Sequence, residues 1–262
     1  MRIGTSGFSY DDWVGPVYPT GTKKADMLSA YAQMFGCVEI NSTYYAIPSQ
    51  SSFASMVRRT PDDFRFAVKA NKEMTHTQTP SDATFAAFRS CLQPMADSGK
   101  LGCVLAQFPW SFKLSKENTS QLRRFRELTE GLRVVVEFRN SEWVDDPRTF
   151  EFLRSLDLGF CCVDEPAIEG LVPPVVEATS GTAYVRFHGR NAAKWWHHDQ
   201  AHERYDYLYS QDELSDWVGN VEGLAKKSDE LYVFFNNHYK GKSVQNARMF
   251  ARQLGLEDAP GA

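Results

Sequence analysis

The run VVVEFRN, Val134 to Asn140, sets Glu137 and Arg139 two residues apart behind three valines. β-Branched residues in series read as a buried strand, and residues i and i+2 of a strand share a face. The carboxylate and the guanidinium would stand about 6–7 Å apart along that face. Such a pair suits adjacent groups of one ligand, the carboxylate working on a proton or hydroxyl and the arginine fork on an anionic oxygen. The same pattern recurs along the chain. Glu39 and Asn41 alternate with Val38 and Ile40, Lys69 opposes Val68, and Arg186 and His188 oppose Val185 and Phe187. Gln107, Asp164 and the trio Asn236, Asn237 and His238 end three further apolar runs, while His76 and Arg190 lie in the segments that follow such runs. Burying so many polar groups is costly unless they are paired or bind something. Two readings stay open: a ligand site built from strand ends, or an ion-pair network in which Glu137 neutralises Arg139 or Arg186.

Three chemistries fit these residue types. Glu39 and Glu137 could flank a substrate as acid and base. Lys69 could be a Schiff-base nucleophile or an electrostatic clamp, and its Arg and His neighbours favour the clamp. The candidate catalytic set is Glu39, Glu137, Lys69 and His188. Anion binding is the best-supported chemistry: Lys69, Arg139, Arg186, His188 and Arg190 gather positive charge in a chain whose formal net charge is −4. Asn41, Gln107 and Asn236 would read hydroxyls or base edges, and His76 and Asp164 complete the candidate substrate-binding set. A divalent metal is less favoured. Glu39, Glu137, Asp164, His76, His188 and His238 have ligand chemistry, but no H-x-H or H-E-x-x-H spacing occurs and the nearby cations would repel a metal ion. No metal ligand is assigned. The five cysteines show no C-x-x-C pair and read as buried thiols.

Eight strand-like runs must position these groups: Arg2–Ser6, Cys37–Asn41, Phe64–Ala70, Cys103–Phe108, Val134–Phe138, Phe160–Asp164, Ala183–His188 and Leu231–Asn236. Helical spacing separates most of them. Met27, Leu28, Tyr31, Met34 and Phe35 mark a helix stopped by Gly36, and Phe150, Leu153 and Leu156 one stopped by Gly159. Alternating strands and helices, with no linker, predict an α/β fold, a (β/α)8 TIM-like barrel, with a doubly wound open sheet as the alternative. Pro173 and Pro174 make the unit between strands six and seven irregular. The long loop after strand seven, GRNAAKWWHHDQAHERYDYLYS, is a lid, a binding surface or an aromatic plug. A single barrel domain over 1–255 and a flexible tail over 256–262 are expected. With 42% hydrophobic and 24% charged residues, disorder is not expected. No run is long enough to span a membrane, and the N-terminus reads as a strand without a signal peptide, so the expected location is cytoplasmic.

The segments IGTSGFSYDDWVG, VEINSTYYAIPS, FAVKANKEMTH, LAQFPWSF, VVEFRNSEW, YVRFHGR and FFNNHYKG resemble, over nearly the full length, the "domain of unknown function 72" or YecE-like family. The resemblance implies a TIM-barrel-like fold and no settled activity. Its barrel is similar in architecture to endonuclease IV and xylose isomerase, which is a likeness of fold alone. The expected function is binding of a small anionic, phosphorylated or nucleic-acid ligand at the C-terminal mouth, with cleavage of a phosphodiester or sugar-type bond. The alternative is a non-catalytic nucleic-acid or protein binding module that uses the Trp195–Tyr209 loop.

Overall fold

The computed structural model describes residues 1–200 and 202–256. The expected eight strands form: β1 (Arg2–Thr5), β2 (Cys37–Ile40), β3 (Arg65–Lys69), β4 (Leu101–Gln107), β5 (Val134–Glu137), β6 (Leu158–Asp164), β7 (Thr182–Phe187) and β8 (Glu230–Phe235). All pair in parallel, in the order β1-β8-β7-β6-β5-β4-β3-β2. The two ends of that order meet at a seam between β1 and β2. A single bridge from Ser6 to Glu39 and a hydrogen bond from Gly7 N to Glu39 O, 2.8 Å, join them. The result is a nearly closed barrel rather than an open doubly wound sheet.

Nine α-helices pack outside it among the described residues: α1 (Lys24–Tyr31), α2 (Gln50–Arg58), α3 (Lys72–His76), α4 (Asp82–Asp97), α5 (Lys116–Leu128), α6 (Glu142–Asp145), α7 (Arg148–Ser155), α8 (Gln211–Lys227) and α9 (Lys242–Gln253). Their apolar stripes cover the outward face of the strands. Phe187 of β7 stacks on Phe235 of β8 at 4.6 Å and meets Trp217 of α8 and Phe250 of α9 at 5.3 and 5.5 Å. A capping box between Ser210 and Glu213 starts α8 where the long loop ends.

Two helix ends differ from expectation. α1 stops at Tyr31, ahead of Gly36, because Tyr31 turns inward and its hydroxyl donates to Cys37 O at 3.0 Å and accepts from Thr5 N at 2.9 Å. α7 stops at Ser155, and Gly159 belongs to β6. The reversal is made by Asp157, whose φ is +50°. Gly159 is needed for close packing instead, since a Cβ there would meet Thr182 O at 2.7 Å. Between Asp164 and Thr182 there is no helix, as the paired prolines imply. At the C-terminal end Leu256 packs on the core; the rest of the expected tail, 257–262, lies outside the described residues. No helix of the described residues is long and apolar enough to cross a membrane.

Gly4 marks the seam. A Cβ there would meet Cys37 O at 2.5 Å, so β1 reaches β2 only without a side chain at this point. Gly4→Ala is expected to lower the free energy of unfolding by about 1–3 kcal/mol through the forced shift. Gly219→Ala, on the exposed side of α8 with nothing within 4 Å of the added carbon, should raise it by up to about 1 kcal/mol. Urea titration of the two variants checks the contrast.

Candidate functional site

The lumen side chains at the C-terminal strand ends form a buried chain of alternating charge. Arg186 Nη2 lies 2.7 Å from Glu39 Oε1, and its Nη1 lies 2.5 Å from Glu137 Oε2. Glu137 Oε1 is 2.6 Å from Arg139 Nε, and Arg139 Nη1 is 2.9 Å from Glu165 Oε2. The order is Glu39, Arg186, Glu137, Arg139, Glu165. Tyr184 donates to the second oxygen of Glu39 at 2.7 Å, and Val172 N donates to that of Glu165 at 3.2 Å. His188 closes the group. Asn236 Nδ2 donates to its Nδ1 at 3.2 Å, so Nε2 carries the proton facing Glu137 Oε1, also 3.2 Å away.

The surroundings set the protonation states. Burial works against charge on Glu137, but Arg139, Arg186 and His188 outweigh it and hold the carboxyl well below its usual range. Burial likewise opposes charge on Arg186, and Glu137 and Glu39 more than restore it. His188 is pushed well below its usual value by burial and then by Arg139, and so stays neutral. Glu165 differs. Burial raises it to about 7 against the pull of Arg139, because Arg139 already serves Glu137.

A cavity of about 620 Å³ opens above this chain. Of the candidate site residues, Asn41, Lys69, His76, Gln107, Arg139, Arg186 and Asn236 line it. Lys69 Nζ donates to Gln107 Oε1 at 2.8 Å and sits 4.5 Å over the Tyr44 ring. Burial, followed by the field of Arg186, lowers its ammonium to about 7. His76 is brought down to about 4 by burial and by Lys69, so its ring is neutral at pH 7. Two buried polar atoms of the lining, Asn41 Oδ1 and Arg186 Nε, have no hydrogen-bond partner among the described residues.

Loops supply the rest of the wall, with residues that alternation along strands does not reveal. Tyr10 comes from the first loop and stacks on His238 at 4.5 Å; Tyr44 and Tyr45 follow β2, and Trp110 follows β4. The loop after β7 contributes to the wall as well. Trp195 is buried with its ring 6.5 Å from that of His188, and it lines the cavity together with Trp196, His202, Arg204 and Tyr205.

Three expectations are corrected. Asp164 and Arg190 do not reach the cavity. Asp164 points outward from β6, where it accepts from Arg190 Nε and Nη2 at 2.8 and 2.6 Å, Tyr209 at 2.7 Å and Trp217 Nε1 at 2.8 Å. The lumen positions of β6 have the other parity. Cys161 feels the charges of Glu137 and Arg186, while Cys162 contacts Glu177 O outside. Glu165, one residue further on, is the group that turns inward. Glu39, Glu137 and His188 lie beneath the cavity, fully buried and saturated with partners, rather than at its surface. Their polar atoms are engaged with one another and with Arg139, Arg186, Tyr184 and Asn236. Glu137 and Arg139 grip each other instead of standing apart, because the arginine side chain folds back along the strand. For a metal the donor set does not fit: among the described residues no three His, Cys, Asp or Glu side chains converge on one point.

The family described as "Protein of unknown function DUF72" matches residues 2–261. The chain belongs to the DUF72 family. The UPF0759 protein YunF of Bacillus subtilis (strain 168) is 35% identical over 272 residues, spanning 98% of this chain and 95% of its own length. UPF0759 protein YecE of Escherichia coli (strain K12) is 32% identical over 114 residues, 43% of this chain and 39% of that protein. A DUF72 family protein from Thermotoga maritima MSB8 has the same fold at a TM-score of 0.89 and 41% identity, covering 97% of this chain and 98% of its own. One from Enterococcus faecalis V583 gives 0.87 and 30%, with coverages of 97% and 95%. The expected family and the expected TIM-like barrel are both borne out. These DUF72 and UPF0759 names carry no activity.

Removing the centre of the charge chain should be severe. Glu137→Gln leaves Arg139 and Arg186 short of a counter-charge and is expected to cost about 3–5 kcal/mol of stability, read from urea unfolding. The pH dependence has two sides. What Glu137 and His188 contribute is in place above their usual values, 4.5 and 6.5, and is lost as pH falls through their lowered ones. What Glu165 contributes is complete below 4.5 and is lost as pH rises through about 7. The midpoint of unfolding should therefore fall in acid, and as pH rises from about 4.5 to about 7 the wild type should lose stability relative to Glu165→Gln, with a constant difference above that range.

Proposed function

We propose that the mouth of the barrel binds a small anionic ligand with a flat face, in the class of aromatic or nucleoside monophosphates. One observation carries this reading: Lys69, Arg139, Arg186 and Arg204 line the cavity, and no carboxylate among the described residues does. The counter-charges Glu39, Glu137 and Glu165 engage both Nη atoms of Arg186 and the Nε and Nη1 of Arg139, and do not themselves line the cavity. The charge chain sums to between zero and one negative, according to the state of Glu165. With Arg204 charged and Lys69 either charged or neutral, the surplus is between zero and two positive charges, on the scale of a phosphate monoester and small for a polyanion. The cavity volume is that of a small-molecule site. Tyr10, Tyr44, Trp196 and Tyr205 offer ring faces for a planar group, and Asn41, Gln107 and Asn236 offer amide groups to its edges.

A second reading, a single-stranded nucleic acid, is favoured by the rim. Tyr45, Trp110 and Trp196 are 76, 42 and 46% exposed, unusual for rings of that size, and bases stack on such platforms. Cleavage of a phosphodiester or sugar-type bond would need a base other than Glu39 or Glu137. Lys69 is the candidate that reaches the cavity near neutrality.

Calorimetry with adenosine 5′-monophosphate and adenosine is the test. The monophosphate should bind at least about tenfold more tightly, equivalent to 1.4 kcal/mol, and Arg204→Ala should remove most of that preference. Equal binding of the two would sink the anion reading. A steep loss of oligonucleotide affinity with salt, beside a shallow one for the monophosphate, would instead favour the nucleic acid.

A further inference from the structure

Lys69 stands apart from the other cations of the mouth. Arg139 and Arg186 each hold two carboxylates, and Arg204 donates to Trp195 O at 2.8 Å. Lys69 Nζ has one amide oxygen, that of Gln107, and the face of Tyr44. No salt bridge involves it among the described residues, although it lies in a wall built over three glutamates. Lys100 shows the contrasting arrangement. It is buried at the opposite rim, just before β4, with its Nζ held by Val57 O, Thr60 O and Thr60 Oγ1 at 2.9, 2.8 and 3.4 Å. That is an ammonium fixed in place by oxygen. Lys69 is a lysine held at one point, open to a cavity, and flanked by cations that disfavour its own charge.

We propose that Lys69 is an imine-forming amine, and that the natural ligand of the mouth carries an aldehyde or ketone. The anionic group of that ligand rests on the reading above; the reaction of the amine does not. The lone pair of neutral Nζ attacks the carbonyl carbon, the C–N bond forms, and the π pair moves onto oxygen. One N–H proton passes to that oxygen to give a carbinolamine. The nitrogen lone pair then expels the hydroxyl, which leaves as water with the second N–H proton. Amine plus carbonyl becomes imine plus water, with no change of oxidation state. Gln107 Oε1 accepts one N–H and so orients the lone pair. The groups that set the amine's charge come from every side: Arg186 on β7, Glu137 and Arg139 at the end of β5, Glu39 on β2, Tyr44 after β2 and His76 on α3. Their sum, with burial, leaves the amine near half neutral at pH 7, roughly a thousandfold above the neutral fraction of an exposed lysine. A neighbouring cation and desolvation are the general means of activating a lysine.

The test treats the full chain with pyridoxal 5′-phosphate at pH 7, reduces with borohydride and maps the product by peptide mass spectrometry. The expected result is a secondary amine on Lys69, formed at least about tenfold faster than on any other lysine, with a rate that rises through a midpoint near pH 7. Lys69→Arg, or Lys69→Met where Arg lowers the melting temperature, should lose this adduct and keep the slow surface ones. Adducts spread over exposed lysines with Lys69 unmodified would overturn the proposal. Two companions separate it from the anion reading. Pyridoxine 5′-phosphate, which lacks the aldehyde, binding while Lys69 resists modification leaves the anion site standing and removes the imine. Equal labelling of Lys69 by pyridoxal and by its phosphate keeps the imine and removes the anion preference.

Discussion

Five charges in a row, Glu39, Arg186, Glu137, Arg139 and Glu165, cross the top of the barrel without water to separate them. Each interior member has an opposite charge on both sides, which makes burial of the whole tolerable when burial of any one would not be. The ends are completed by Tyr184 and by the backbone of Val172. This arrangement links β2, β5, β7 and the segment after β6 through the lumen. It also fixes where polar atoms end and the cavity begins, so the shape of the site is a consequence of how the charges are neutralised.

The chemistry left to the cavity follows from that division. Glu137, Arg139 and Arg186 hold one another charged and position the floor. Groups at the edge of the network are the ones free to change state. Lys69 has too little negative charge nearby and Glu165 shares its cation with Glu137, and both are drawn toward neutrality in pKa from opposite directions. Lys69 and Glu165, brought to about 7 from opposite sides, stand at these margins.

Much of this was legible in alternation. Glu39, Lys69, Glu137, Arg186 and His188 stand at lumen positions because side chains alternate along a strand, and period two is rigid enough to read from sequence. The same rule misleads at β6, where Asp164 ends the apolar run but points outward to Arg190, Tyr209 and Trp217. The phase of Cys161 and Val163 would have pointed to Glu165, and a one-residue error reverses the face. Sequence spacing also treats side chains as perpendicular to the strand, which hid the fold-back of Arg139 onto Glu137. The aromatic walls come from loops, whose course is set by tertiary packing and not by period. Trp195 and Trp196 are neighbours in sequence with opposite fates, one buried against His188 and one exposed at the rim.

The seam between β1 and β2 has a kinetic side. β1 pairs along its length with β8, Arg2 against Tyr232 and Thr5 against Phe235, and meets β2 only through one bridge. Of the ladders, this pairing joins the most distant parts of the chain, and loop-closure entropy places such contacts late in folding. Trp13, donating to His238 O at 2.8 Å across a separation of 225 residues, belongs to the same closure. Before the ring closes, the charged side chains on β2, β5 and β7 are open to solvent and hydrated. Their low-dielectric setting is a product of the final step, so a chain stalled just short of it would hold most of its strands and helices and still lack the site.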